Sequence, residues 1–421
     1  MVNFEQYLIK NIYGGRISEI YDISENYFNQ SPQDLAPETK LHILCSIMKI
    51  TPSDLDEIIS SHSAVSRTIK GHAFEVVFDA MMHLNKIECI EVGGDTNVDR
   101  QINNHTLQLK TPFVNGCSDG IVSYKTHKTH GAKSETESMN YYHQVNDFAD
   151  FLVGLVSYEP FHVLIVPKSE LPRTKKSVNH IESPMFLKND NPSWLNNFHQ
   201  FGISIPLDFP TELLLPQSNE CLPLSSNLLQ LRSDYILRAI FIKDNFRIWD
   251  MNMRGFIREH VFTMKLLKNG IKSYPVTITG LARSNKCDIV LKKKDNRYVR
   301  FQVKGLTWNG CTLNKEKTTI DCETQLSRGR VNDHPTQSRL YMDTDFEYLI
   351  IAIDPPYANT LSLETFGTAN YSWNFYCIPM SQLRKHPKYT HRVSSHQYIK
   401  YQELQQYRIH DDWFSIWKKE L

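Results

Sequence analysis

The sequence reads as an α/β chain of two tandem domains with a helical region at its N-terminus. Three observations predict this. Residues 1–63 carry short amphipathic helical segments, a helix followed by strand-like runs occurs once in each half, and the same polar residues recur on both halves in the same order. A chain of 421 residues is long enough for two or three domains, each with its own core.

In order, the helical segments of the N-terminal region are predicted at 4–12, 17–28, 37–48 and 54–60, the last started by Thr51-Pro52-Ser53-Asp54. From about Val65 a helix carries Phe74, Val76, Val77, Phe78, Met81 and Met82, and strands follow at 88–92 and 106–110. Asn103-Asn104 suits the hairpin turn between short strands. A polar, basic stretch spans 123–138. Two apolar strands at 151–156 and 162–166 come next, closed by Pro167. Residues 172–225, rich in Pro, Asn and Ser, read as loops and a connection, and a new helix begins near Asn227. The second half repeats the plan: a helix at 255–268, strands at 288–291 and 298–303 around a turn at Lys294-Asp295-Asn296, a polar stretch at 307–340, and strands at 348–353 and 374–378 closed by Pro379. The expected domains are therefore 1–63 as the helical N-terminal region of the first domain, 64–225 as the first domain and connection, and 226–421 as the second domain with a C-terminal extension. In that extension Tyr398, Tyr401, Leu404, Tyr407, Trp413 and Trp417 are expected to pack against the second domain.

Composition narrows the class. Hydrophobic residues make up 41% and charged residues 22%, and the formal net charge is +1, so any polyanion-binding face has to come from local clustering of charge. Eight cysteines occur without a C-x-x-C pair, which argues against a zinc site or a disulfide framework and fits a reducing cytosol. No apolar run approaches the ~18 residues of a membrane span, and the first residues lack the charged and apolar regions of a secretory signal. The expectation is a cytoplasmic protein with no membrane partner.

The polar repeat is specific in its order. The first copy runs Gly71-His72-Ala73-Phe74-Glu75 on a helix, then Asp99, then Gln108-Leu109-Lys110 on a strand. The second runs Gly255-Phe256-Ile257-Arg258-Glu259, then Asp288, then Gln302-Val303-Lys304. The Glu–Asp and Asp–Gln separations are longer in the second copy, where loops and hairpin tips absorb the difference. Residues two apart on a strand face the same way, so each Gln and Lys project into one cleft. Oxygen donors in that cleft suit a hard divalent cation, which polarises a phosphate and lowers the pKa of an attacking water, while the lysine orients that water and stabilises developing charge. A single Glu on a helix is usually a solvated surface residue, and a single Q-x-K is usually an exposed strand face. Two copies in one order are what point to chemistry.

With these residues the chain resembles the PD-(D/E)XK nuclease superfamily, and within it a type II restriction endonuclease with two such domains in tandem. The likeness covers about residues 65–171 and 245–385 and includes Thr111-Pro112 after the first Q-x-K, the strand run from Asp150 to Leu155, and Pro167-Lys168-Ser169-Glu170-Leu171. The resemblance implies α+β domains, each a mixed sheet flanked by helices, with the metal site where central strands diverge. It implies Asp99 and Asp288 as principal metal ligands, Glu75, Glu259, Gln108 and Gln302 as further metal-site groups, and Lys110 and Lys304 as catalytic lysines. Mg²⁺ is the implied cofactor, with Mn²⁺ able to substitute, and double-stranded DNA the substrate, with a companion DNA methyltransferase in the cell. The chain departs from the family in having Val98 and Cys287 before the aspartates and glutamine where a carboxylate is usual.

DNA contacts are expected from Lys125, Lys128 and Lys133 after the first Q-x-K strand, from Arg173 and Lys175, and from Lys315, Lys317, Arg328 and Arg330 in the equivalent insert of the second half. Two sites in one chain would let a monomer cut both strands. The alternatives are a repair or modification-dependent nuclease and, from another class, a DNA-binding module with one or both sites inactive. Cleavage that requires Mg²⁺ separates enzyme from binder.

Overall fold

The computed structural model describes residues 40–41, 44–45, 48–92, 97–113, 120–126, 128–129, 140–141, 143–158, 160–175, 177–204, 206–209, 236–237, 240, 243–274, 287–305, 319–325, 339–353 and 373–420. It is a mixed α/β structure of mixed sheets and few helices. Two compact units divide the chain. One comprises Ser63–Ala132 and Thr136–Asn245, the other Met1–His62, Lys133–Glu135 and Phe246–Leu421.

Helix α1 (Pro52–Ser61) starts where the sequence signals it. Thr51 is its N-cap, its hydroxyl accepting from the Asp54 N–H at 3.1 Å while the Asp54 carboxylate accepts from the Thr51 N–H at 2.9 Å, and Pro52 needs no N–H in the first turn.

In the unit beginning at Ser63, helix α2 (Ser63–Leu84) buries Ile69, Ala73, Phe74, Val77, Phe78, Met81 and Met82, a stripe at helical spacing. The sheet that follows has strands β1 (Cys89–Glu91), β2 (Arg100–Ile102) and β3 (His105–Lys110), with Asn103 turning the β2–β3 hairpin at φ +52°. A separate strand, β4 (Ile121–Tyr124), precedes β5 (Phe151–Tyr158) and β6 (Phe161–Pro167). The order is β1-β2-β3-β5-β6. All neighbours are antiparallel except β3 and β5, which run parallel. The apolar run through β5 reflects a central strand covered on both faces. β7 (Met185–Lys188) pairs with β4, outside the main sheet.

The second unit repeats this arrangement. Helix α3 (Lys243–Lys268) buries Met253, Ile257, Phe262 and Leu266. Strands β8 (Ile289–Lys292), β9 (Tyr298–Lys304), β11 (Tyr348–Ile353) and β12 (Asn374–Pro379) form a sheet in the order β8-β9-β11-β12, antiparallel except for the parallel pair β9 and β11. β10 (Thr319–Glu323) and β13 (His396–Lys400) pair outside it. One face of the sheet packs Phe301, Val303 and Ile350 against Phe262, Leu266 and, from helix α4 (Asp411–Glu420), Phe414 and Trp417. The other packs Val290, Leu349 and Ile351 with Cys322, Tyr341 and Leu404.

The parallel pairs match residue for residue. Leu107, Gln108, Leu109 and Lys110 lie opposite Phe151, Leu152, Val153 and Gly154; Phe301, Gln302, Val303 and Lys304 lie opposite Tyr348, Leu349, Ile350 and Ile351.

Three expectations are corrected. The helix at Pro52–Ser61 belongs to the second unit, not the first: Asp54 Oδ1 and His260 Nε2 lie 3.0 Å apart, His62 stacks on Phe256 at 4.1 Å, and the Trp373 indole donates to the Lys49 carbonyl at 3.1 Å. Apolar periodicity reveals that a helix has a face to bury, not which domain covers it. Along the chain one unit gives way to the other at Asn245–Phe246, where the sequence places the boundary near 225. Tyr398 is 57% exposed, whereas Leu404 and Trp417 are buried and Tyr407 and Trp413 pack on the core as expected. The helices expected at 4–12 and 17–28 lie outside the described residues.

Candidate active sites

Each Q-x-K strand brings its aspartate, glutamine and lysine together through the same backbone device. The Asp99 N–H donates to the Leu107 carbonyl at 2.8 Å, and the Asp288 N–H to the Phe301 carbonyl at 2.9 Å. Just beyond, the hairpin partner ends and the aspartate side chain takes its place on the strand edge. Asp99 Oδ2 accepts from the Leu109 N–H and from Gln108 Nε2, both at 2.7 Å. Asp288 Oδ2 accepts from the Val303 N–H at 2.9 Å and from Gln302 Nε2. The N–H and C=O of one strand residue leave on the same edge, so the carbonyls of Leu109 and Val303 are on the aspartate's side too.

The glutamine thus has a role that its position alone does not reveal. Its amide nitrogen orients the aspartate and its oxygen is left for another partner. Gln302 Oε1 is buried and accepts no hydrogen bond among the described residues. A buried amide oxygen without a donor is costly and is the kind of group a cation satisfies.

In the first unit, Lys110 Nζ lies 3.7 Å from Asp99 Oδ2. Glu75 reaches the Arg100 guanidinium at 3.4 Å, and Arg100, only 3% exposed, makes two 2.8 Å bonds to Asp79. Burial, and then the Asp99 charge, push the Glu75 carboxyl up to about 7. His72, one turn before Glu75, is pushed down to about 4 by burial, against the pull of Asp99. In the second unit, burial and the neighbouring Asp288 charge hold Glu259 well above the usual carboxylate range, and burial raises Asp288 to about 6. The Lys304 ammonium donates to the Gln325 carbonyl at 3.3 Å and sits 5.5 Å over the Tyr341 ring. Two carboxylates that resist ionisation together, an amide oxygen and a strand carbonyl form an all-oxygen donor set that fits Mg²⁺. Among the described residues no three His, Cys, Asp or Glu side chains converge as a metal cluster, so such a site relies on two carboxylates and neutral oxygens.

Gly71 and Gly255, four residues before the glutamates, have open space where a Cβ would stand, so no packing contact in the described structure requires them. Arg100, Asp79 and His72 belong to the first site and were not singled out by the motif. A carboxylate just before each parallel core strand was also missed. Asp150 accepts from the Thr106 N–H at 3.1 Å and Glu347 from the Arg300 N–H at 2.6 Å, and their carbonyls accept from Lys168 and Met380 N–H, both at 2.9 Å. An acidic residue ahead of an apolar run in both halves was the readable signal.

Of the residues expected to contact DNA, Lys125 lies over the Phe113 ring at 5.2 Å and Lys175 is exposed. Arg173 is engaged in its own loop, donating to the Lys168 carbonyl at 2.6 Å. Lys128 lies in a short strand, Lys128–Thr129, while Lys133, Lys315, Lys317, Arg328 and Arg330 lie outside the described residues. No helix among the described residues is long and apolar enough to cross a membrane. No protein-family model, curated protein or solved structure matches the chain.

Proposed function

We propose that the chain is a divalent-cation-dependent endonuclease of the PD-(D/E)XK kind, built of two tandem restriction-endonuclease-like domains, with one site per unit and each site hydrolysing one strand of duplex DNA. The observation that carries this reading is the recurrence of Asp, Gln-x-Lys and helix Glu in the same strand register in both units. An aspartate placed for packing alone has no reason to recur with the same amide and backbone partners.

In this reading Asp99 with Glu75, and Asp288 with Glu259, hold Mg²⁺ or Mn²⁺ together with the Gln108 and Gln302 oxygens. The bound ion supplies charge that polarises the phosphate and acidifies water. Lys110 and Lys304 orient the water that attacks phosphorus and offset the negative charge that builds on the phosphoryl oxygens as the P–O ester bond breaks. Two sites in one chain suit a monomer that makes double-strand breaks. A sequence-specific restriction role, with a companion methyltransferase and a cytoplasmic location, goes with this assignment. The test is cleavage of supercoiled plasmid in Mg²⁺ against EDTA, for the parent chain and for Asp99→Asn with Asp288→Asn. Cleavage in Mg²⁺ alone, reduced by at least about 10²-fold in the double variant, supports the reading. Cleavage that persists in EDTA or survives both substitutions overturns it.

One observation favours a second reading, in which only the first site cuts and the second binds DNA. Lys110 contacts its aspartate, whereas the Lys304 ammonium is turned to the Gln325 carbonyl. Lys304→Ala that leaves double-strand cleavage intact would select this version.

A further inference from the structure

The repeat continues where the polar motif does not reach. In each unit a two-stranded antiparallel ribbon stands outside the main sheet, its first strand lying in sequence between the lysine strand and the parallel core strand. In β4 and β7, Ile121 lies opposite Lys188, Val122 opposite Leu187 and Ser123 opposite Phe186. In β10 and β13, Thr319 lies opposite Lys400, Ile320 opposite Ile399 and Asp321 opposite Tyr398. Counted from the start of each first strand, the first three pairs of the two ribbons therefore correspond. Phe186-Leu187-Lys188 takes the place of Tyr398-Ile399-Lys400.

The middle residue of each triplet faces inward. Leu187 is buried, and Ile399 packs against the core of its unit. The outer two face away, by the two-residue period of a strand. Phe186 is 64% exposed and Tyr398 57%, and both lysines are exposed. A lone apolar side chain in water is ordinary. A large ring with a lysine two residues on, at the same register of the same ribbon in both units, is not scatter, and core packing does not call for it.

Each ribbon is also anchored beside its candidate site. The N–H of Phe113, three residues past Lys110, donates to the carbonyl of Ser123, the residue opposite Phe186, at 2.8 Å. Gln325, two residues past β10, accepts from the Lys304 ammonium. The acidic neighbours in the second ribbon are engaged: His396 Nδ1 lies 2.9 Å from Asp321 Oδ1, and Glu323 accepts from Gln325. Lys400 lies 3.7 Å from Glu403 with both side chains in solvent, a weak pair that a phosphate can displace.

We propose that Phe186 with Lys188, and Tyr398 with Lys400, are matched DNA-contacting elements, one beside each site, the lysine on a backbone phosphate and the ring against bases of the duplex. This rests on the nuclease reading above. A two-stranded ribbon is narrow enough to enter the major groove, where an apolar ring packs against base edges and the thymine methyl group.

The test uses the full chain and a fluorescein-labelled mixed-sequence DNA duplex, with Ca²⁺ in place of Mg²⁺, and binding followed by anisotropy across a KCl series. Phe186→Ala with Tyr398→Ala should weaken binding by about tenfold with the salt dependence unchanged. Lys188→Ala with Lys400→Ala should lower the slope of log affinity against log salt by about two. Tyr398→Phe should retain parental affinity, and so should Val178→Ala, an exposed apolar control in the same unit as Phe186. Parental affinity and salt slope in both double variants overturn the inference and leave the nuclease reading standing. A parent chain that neither binds nor cuts duplex DNA overturns both.

Discussion

The two candidate sites share a backbone and differ in their electrostatics. In the first, the residue after the aspartate is Arg100, whose buried guanidinium faces Glu75, Asp79 and Glu91. In the second, that position is Ile289, buried in the core beside Leu291 and Phe301. Each glutamate is pushed up by its neighbouring aspartate; Glu75 is offset by Arg100 and Lys110, and Glu259, among the described residues, by Lys304. The strand edge fixes where the aspartate, amide and lysine stand. The residue following the aspartate is free to set how much negative charge the site tolerates before a cation arrives.

Breaking that difference should have its largest effect at Arg100. Arg100→Met should destabilise the chain by about 3 kcal/mol, the low end for breaking a buried ion pair because the Asp79 and Glu91 side chains are half-exposed. Ile289→Met, at the matching position, should cost less than about 1.5 kcal/mol. Urea unfolding of the two variants checks the contrast.

Next comes the position opposite each lysine, where Ile351 occupies the second unit and Gly154 the first. A Cβ on Gly154 would stand 2.3 Å from the Tyr124 ring, whose hydroxyl is fixed to the Leu155 carbonyl at 2.8 Å. Gly154→Ala should cost about 1–3 kcal/mol by overpacking, read from the same urea midpoints.

A smaller effect, and a pH-dependent one, comes from the glutamates. Glu75 titrates near 7 in the fold against an ordinary value of 4.5, so the fold favours its protonated form. Its contribution to stability is full below about 4.5 and is lost as pH rises through about 7. Glu259 is shifted in the same direction, with Lys304 as the cation that opposes the shift. In EDTA, Glu259→Gln should raise the melting temperature at pH 8 by roughly 2–4 °C and change it little at pH 4.5, and Glu75→Gln should gain less. Thermal melts at the two pH values decide it, and equal gains at both sites would remove the electrostatic distinction. The smallest effect is Thr51→Ala, which should cost about 1 kcal/mol through the lost N-cap. Hydrogen exchange should show that loss at α1 and at the Trp373 contact, within the unit that α1 joins.

Much of this arrangement was legible from side-chain pattern. The apolar stripe of α2, the Asn103 turn and the Q-x-K strands follow from periodicity and turn chemistry acting over a few residues. The recurrence of Glu, Asp, Gln and Lys pointed to both candidate sites. Arg100 was not legible, because a basic residue after an aspartate carries no pattern and acquires its role only when the β2–β3 hairpin turns it toward α2. The ribbons were not legible either, since Ser123 meets Phe186 across a long stretch of chain and Tyr398 reads as a core residue until its neighbours are placed. The unit to which α1 belongs depends on contacts such as Asp54 with His260, which no local spacing encodes.

The most direct test of the two-site account is strand-resolved cleavage of an end-labelled duplex by Lys110→Ala and Lys304→Ala in Mg²⁺. The account predicts that each variant nicks one strand, that the two nick opposite strands, and that the double variant cuts neither. Double-strand cleavage by either single variant, or nicking of the same strand by both, would contradict it.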